Sequence, residues 1–405
     1  LFRTLRIFSY LIFGSIGPNY PNRVETIDMT ILPLAAAGAA LRETRLPEIL
    51  SRAVSLGASD VHIKAGAGPI IRVHAQLRSL NMGVTSADEV EEMVLSAMGT
   101  DRERDEFRTQ RECDFALEAP HIGRFRVNAF RSKGDAAMVL RYVSDVIPTL
   151  DGLGLPEAVF ELSGLSSGLI LVCGPTGSGK STTLAAMIGQ INAHRSCHVL
   201  TIEDPIEFLH RDDQATVSQR ELHTDTVSFE RALRSGMRQD PDVILVGEVR
   251  DADTMRIALQ AAETGHLVLA SLHARSVVDA VHRVIDLVPP AQQRQARAAI
   301  AESLRGVICQ SLVETAEGSE RIVVSEVALG TTRVREAIAD PEKTADLSDI
   351  VAEGGYYGMH SFHQEALRLV LEGKISVQVA ETVVPSVADL HVSLRRSGFK
   401  EMSIG

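Results

Sequence analysis

The chain has 405 residues, 45% of them hydrophobic, and carries 41 Lys and Arg against 53 Asp and Glu for a formal net charge of −12. With a mean hydropathy of +0.06, it is not a disordered chain and has core enough for two or three globular domains. The acidic balance argues against a large constitutive nucleic-acid surface, because neutralising phosphates takes clustered Lys and Arg.

In chain order, the first segment opens on Leu1 and shows no clear helical or strand period before Met29. Residues 1–44 therefore read as an N-terminal extension, either flexible or the product of a mis-assigned start. Its most apolar stretch, Ile7 to Ile16, is too short for a membrane span, which needs about 20 apolar residues. Residues 45–146 read as a small α+β domain. A helix enters at Pro47, strands are expected at Val61–Ile63 and Ile70–Val73, and Ser86 to Met98 is an acidic amphipathic helix. Arg124 to Phe130 alternates, with Phe125, Val127 and Ala129 on one face, and pairs as a hairpin with Met138 to Val143. The Pro- and Gly-bearing stretch Val146 to Leu155 reads as a linker.

Residues 147–405 change character. Short apolar runs at Leu169–Cys173, Val199–Ile202, Val243–Val246 and Leu267–Ser271 alternate with helical patterns, which predicts a parallel sheet covered on both faces and an α/β fold class. From Pro290 onward the text reads as mostly helical, apart from a strand at Arg321 to Val327. The four cysteines stand far apart and form no C-x-x-C pair, so neither a zinc site nor a disulfide framework is indicated, and a reducing cytoplasm fits best.

The chemistry is concentrated at the ends of these strands. Gly174, Pro175, Thr176, Gly177, Ser178, Gly179, Lys180 and Ser181 fit G-x-x-x-x-G-K-[ST] and follow an apolar strand. In such a loop the glycines let backbone N–H groups converge on phosphate and the following helix aims its N-terminus at the same anion. Lys180 would reach the β- and γ-phosphates, Ser181 would hold Mg²⁺, and Thr182 completes the nucleotide-binding run. The second strand ends in three carboxylates, Glu203, Asp204 and Glu207, and ATP hydrolysis needs one to orient and deprotonate water. The third ends at Glu248, four apolar residues followed by an acid, a pattern in which the carboxylate acts on Mg²⁺. The fourth is bracketed by His266 and His273, which suggests phosphate sensing.

The order of these elements resembles the secretion ATPase superfamily that drives type II secretion and type IV pili. The matching stretches are the phosphate loop, Thr-Ile-Glu-Asp-Pro-Ile-Glu, Gly-Glu-Val-Arg-Asp and Thr-Gly-His followed by Leu-His. Within it the chain looks most like the pilus retraction ATPases, PilT-like proteins, from roughly Leu46 to Phe399. Extension and type II secretion ATPases generally carry a longer N-terminal region and a tetracysteine element that this sequence lacks. The segment Gly330 to Asp340 resembles the retraction signature Ala-Ile-Arg-Asn-Leu-Ile-Arg-Glu, with Arg333, Glu336, Ala337 and Ala339 departing from it.

The resemblance implies a PAS-like N-terminal α+β domain, a RecA-like ATPase domain with a helical C-terminal part, and a homo-hexamer with ATP at subunit boundaries. It implies Glu207 as general base with Glu203 as the competing choice, Glu248 at the metal, and His266 and His273 at the γ-phosphate. Arg124, Arg126 and Arg141 are implied as arginine fingers. ATP and Mg²⁺ are the implied cofactors. The implied partners are an inner-membrane pilus platform protein and, in some systems, a paralogous pilus ATPase, with no nucleic acid. The protein would be cytoplasmic, peripheral at the inner face of the cytoplasmic membrane through its partners. Its work would be pilin disassembly and twitching motility; the alternatives are pilus assembly, type II secretion, a nucleic-acid translocase, or a nonhydrolysing regulatory paralogue.

Overall fold

The computed structural model describes residues 41, 43–73, 76–144, 146–318 and 320–399. The expected extension over residues 1–44 therefore lies outside the described residues except at Leu41, Glu43 and Thr44. The fold is mixed α/β, in two compact units. One runs through Ile122 and includes Val127–Leu140; the other comprises Gly123–Arg126 and everything from Arg141 onward.

The first unit begins with helix α1 (Leu46–Ser55), entered through Pro47 and buried along Leu46, Ile49, Leu50 and Ala53. Strands β1 (Asp60–Lys64), β2 (Ile70–Val73) and β3 (Gln76–Ser79) follow, joined antiparallel in sequence order. Helix α2 (Ala87–Ala97) starts at a reciprocal cap, Ser86 accepting from the Glu89 N–H while Glu89 accepts from the Ser86 N–H. A second such cap, Thr100 with Glu103, starts α3 (Asp101–Gln110), a helix the sequence reading passed over because its only buried residue is Phe107. Strands β4 (Glu112–Ala119), β5 (Gly123–Ser132) and β6 (Asp135–Val143) complete a six-stranded sheet of order β3-β2-β1-β6-β5-β4.

The second unit is built on a seven-stranded sheet of order β13-β12-β7-β11-β10-β8-β9. Its strands are β7 (Gly168–Cys173), β8 (His198–Glu203), β9 (Thr216–Glu221), β10 (Val243–Val246), β11 (Leu267–Leu272), β12 (Leu304–Glu314) and β13 (Arg321–Leu329). Neighbours run parallel from β9 to β12, and β13 alone pairs antiparallel. Strand β12 corrects the expectation that the chain from Pro290 onward is mostly helical with a strand only at Arg321 to Val327. It lies between β7 and β13, and six of its eleven residues, Leu304 and residues 306–310, are buried.

The central strand shows why both faces need cover. Leu169, Leu171 and Cys173 of β7 enter one core, with α6 (Phe229–Gly236), α7 (Ala252–Glu263) and α8 (Val277–Asp286); Ile170 and Val172 enter the other, with α4 (Glu157–Ser163) and α5 (Lys180–His194). Truncating a side chain such as Leu171 to Ala is worth about 2–5 kcal/mol, a large share of a domain's typical ~5–15 kcal/mol. The sheet therefore holds the loops at its C-terminal edge on a rigid base. No helix among the described residues is long and apolar enough to cross a membrane.

Candidate active site

At the C-terminal ends of the parallel strands lies a cavity of about 470 Å³, where open α/β sheets place their ligands. Its first wall is the loop between β7 and α5. Gly174 has a φ of 151°, and a Cβ there would lie 2.4 Å from both Ser178 Oγ and the Gln310 carbonyl oxygen. Gly179, the cap of α5, has a φ of 88°, a left-handed conformation that glycine adopts without a clash. Thr176, Gly177, Gly179, Lys180, Ser181 and Thr182 line the cavity, whereas Gly174, Pro175 and Ser178 shape the loop behind it. Lys180 Nζ donates to the carbonyl oxygens of Gly174 (2.9 Å) and Pro175 (3.0 Å). Burial lowers its proton affinity from the ordinary lysine value, against the opposing charges of Glu248 and Glu207.

The facing wall comes from the ends of β8 and β10. Glu203 closes β8 and accepts hydrogen bonds from Thr201 Oγ1 (2.7 Å) and Gln219 Nε2 (3.1 Å). Burial pushes its carboxyl above the usual range, against these donors and a backbone hydrogen bond from Glu207. Glu207 itself is exposed and lines the same cavity. Glu248, two residues past β10, is held by charge: His273 Nε2 lies 3.1 Å from its Oε1, and Arg250 Nη2 donates to Oε2 at 2.6 Å. Burial works to raise the Glu248 carboxyl, but the Arg250 hydrogen bond and the charges of Arg250, His273 and Lys180 outweigh it and keep it below the ordinary carboxylate range. Arg250 also reaches Asp204 Oδ2 at 3.3 Å, tying the two acidic strand ends together.

The structure separates the two histidines. His273 follows β11 and lines the cavity, while His266 precedes it, with Nδ1 3.0 Å from the Ala261 carbonyl oxygen at the end of α7. Six residues of strand put about 20 Å between the ends, so His266 cannot meet a phosphate held by Lys180 of the same chain. The arginines are not in this chain's cavity either. Arg124 donates to Glu221 Oε2 at 2.9 Å, and Arg126 and Arg141 are exposed. Arg250, His210 and Arg321, which line the cavity, and Gln219, which donates to Glu203, stand outside the residues expected from the sequence. Only Arg250 carried a signal, its place two residues after Glu248.

The match to known proteins is broad. The model of the type II/IV secretion system protein family matches residues 35–391. The chain belongs to that family. Among curated relatives, a type IV pilus retraction ATPase, PilT, of Pseudomonas aeruginosa is 42% identical over 331 residues, 82% of this chain and 95% of that protein. A twitching motility protein of Neisseria gonorrhoeae is 42% identical over 77% of this chain and 83% of its own length. A crystal structure of the pilus retraction motor PilT with bound ADP superposes with a TM-score of 0.80 at 38% identity, covering 86% of this chain and 99% of that one.

This secretion-family chain is an ATPase, and its cavity suits the substrate. The volume falls in the range of small-molecule sites, about 300–1,000 Å³, and the loop can pack down on Ser178 and Gln310 only because Gly174 carries no Cβ. Among the described residues no cluster of three or more His, Cys, Asp or Glu forms a ready-made metal site. Mg²⁺ needs none, since it is commonly bound through one or two carboxylates, substrate phosphates and waters. Ser181 and Glu248, both on the cavity wall, fit that manner of binding.

Proposed function

We propose that this chain is the ATP-hydrolysing motor of type IV pilus retraction, removing pilin subunits and so driving twitching motility. The observation that carries the reading is the 42% identity to PilT of Pseudomonas aeruginosa over an alignment that covers 95% of that protein. In this reading residues 45–146 are a PAS-like domain, residues 147–405 a RecA-like domain with a helical C-terminal part, and six copies form a ring. The motor is cytoplasmic and sits against the inner face of the cytoplasmic membrane through a platform protein.

Lys180 and the loop N–H groups hold the β- and γ-phosphates, and Ser181 and Glu248 hold Mg²⁺, which when bound neutralises charge on the phosphates. Glu207, at the exposed mouth of the acidic strand end, accepts the proton of the attacking water. Glu203 keeps the Glu207 backbone in place, and His273 orients Glu248. Arg126 and Arg141 of a neighbouring copy complete the site, with Arg124 available once it leaves Glu221. Loss of the γ-phosphate then releases the neighbour, which turns chemistry into movement.

Deleting the gene tests the reading in the cell. A retraction motor leaves a hyperpiliated strain that does not twitch. A strain without surface pili would reassign the chain to pilus assembly.

A further inference from the structure

The underside of the phosphate-binding loop is held by a residue more than a hundred positions away in sequence. Gln310 lies on β12, is 1% exposed, and has both ends of its amide engaged. Nε2 donates to the Ser178 carbonyl oxygen at 2.7 Å, and Oε1 accepts from Thr183 Oγ1 at 3.0 Å. The orientation of the amide is forced, because a carbonyl can only accept and so must face the NH₂ end. The same residue's backbone oxygen packs where a Cβ on Gly174 would be, and its amide nitrogen lies 3.1 Å from where one on Gly179 would be.

We infer that Gln310 is a positioning residue for nucleotide binding, fixing the loop's Ser178 carbonyl and the first turn of α5 from below so that the loop N–H groups stay aimed at phosphate. The physical reason lies in what the loop must do. A run of N–H groups pointing one way requires carbonyls pointing another, and in this fold that other way is a buried interface where an unpaired carbonyl is costly. Gln310 satisfies the Ser178 carbonyl and links it to a helix hydroxyl in one rigid bridge. The bridge crosses from β12 to the β7–α5 connection, so the grip on phosphate depends on a strand outside the four acidic, basic and histidine motifs. Glu326, paired with Cys309 in the β12–β13 register, accepts from the Val277 N–H at 2.7 Å, so the hairpin bearing Gln310 is also anchored at the start of α8.

The inference rests on the ATPase reading, and binding to the purified full chain separates the two. A fluorescent ADP analogue titrated into the parent chain should bind; if it does not, the ATPase reading fails and Gln310 has nothing to position. In Gln310→Met, which keeps volume and removes both hydrogen bonds, the analogue should bind about tenfold more weakly. The KM for ATP should rise by a similar factor while kcat stays within about threefold. Thr183→Val should weaken binding about threefold, Thr183→Ser should restore it, and the double variant Gln310→Met/Thr183→Val should lose less than the product of the two single effects. Binding within twofold of the parent in folded Gln310→Met and in Thr183→Val overturns the inference, as does a loss confined to kcat. Should Gln310→Met fail to fold, the Thr183 pair decides alone.

Discussion

Glu203 at the end of β8 and Glu248 beyond β10 face the same cavity yet are held by opposite means. Glu203 is bound by neutral donors, Thr201 and Gln219, and burial raises its proton affinity. Glu248 sits beside His273 and accepts from Arg250, and that hydrogen bond, with the positive charges of Arg250 and Lys180, lowers its own proton affinity. A carboxylate locked by neutral hydrogen bonds deep in a wall is suited to fixing geometry. One held in a cationic setting stays ionised and can exchange a cationic partner for another, as metal binding requires. Glu207, exposed and tied to Glu203 through its backbone, is left as the group with access to water.

The substitution that tests this division most strongly is Glu207→Gln. It should lower kcat by about 10²–10⁴ with little change in the KM for ATP, as loss of a general base does. Glu203→Gln should lower kcat by about tenfold or less, because the amide keeps the oxygen that accepts from Thr201 but weakens the link to Glu207. Phosphate-release assays on both variants decide the order. A larger loss at Glu203 would make it the base and reverse the comparison.

The contrast also shows what the sequence could reveal. The acids were readable because each follows a short run of β-branched and aliphatic residues, and a parallel sheet collects strand ends on one side. By the same rule His266, which precedes β11, belongs at the other edge from His273; the reading paired them because they flank one strand, although a strand separates its own ends. Strand β12 escaped notice because a doubly covered parallel strand has no alternation, and the Arg305, Gly306 and Gln310 within it interrupt the apolar run. The polar residue that obscured the strand is the one facing the phosphate loop. Arg250 was in view beside Glu248, but nothing in one dimension says that its guanidinium spans to Asp204.

Arg250→Ala gives a smaller and more specific test of the charged side of the comparison. Removing a cation that donates to Glu248 Oε2 should lower the half-saturating Mg²⁺ concentration by about two- to fivefold at low salt, and the change should shrink as salt screens the site. Titrating Mg²⁺ at fixed ATP measures it. An increase would mean that Arg250 supports metal binding by orienting Glu248 and does not compete with it.

The smallest effect belongs to His210, which lines the cavity beyond Glu207 with a buried Nδ1 lacking a hydrogen-bond partner. Burial pushes its pKa down to about 4 from the ordinary 6.5. The folded chain therefore binds fewer protons than the unfolded one between these values, so this contribution to stability is present above about pH 6.5 and is lost as pH falls toward 4. His210→Asn removes the titrating group and should flatten that part of the stability-against-pH curve while leaving the acid loss due to other groups. Urea midpoints of parent and variant at about pH 7.5 and pH 5 measure the difference. Equal shifts in both proteins would mean that His210 gains a partner in the cavity when it charges. The wall beside Glu203 would then hold a cation as readily as the wall beside Glu248 holds Arg250, and the distinction between a neutral and a charged strand end would fall.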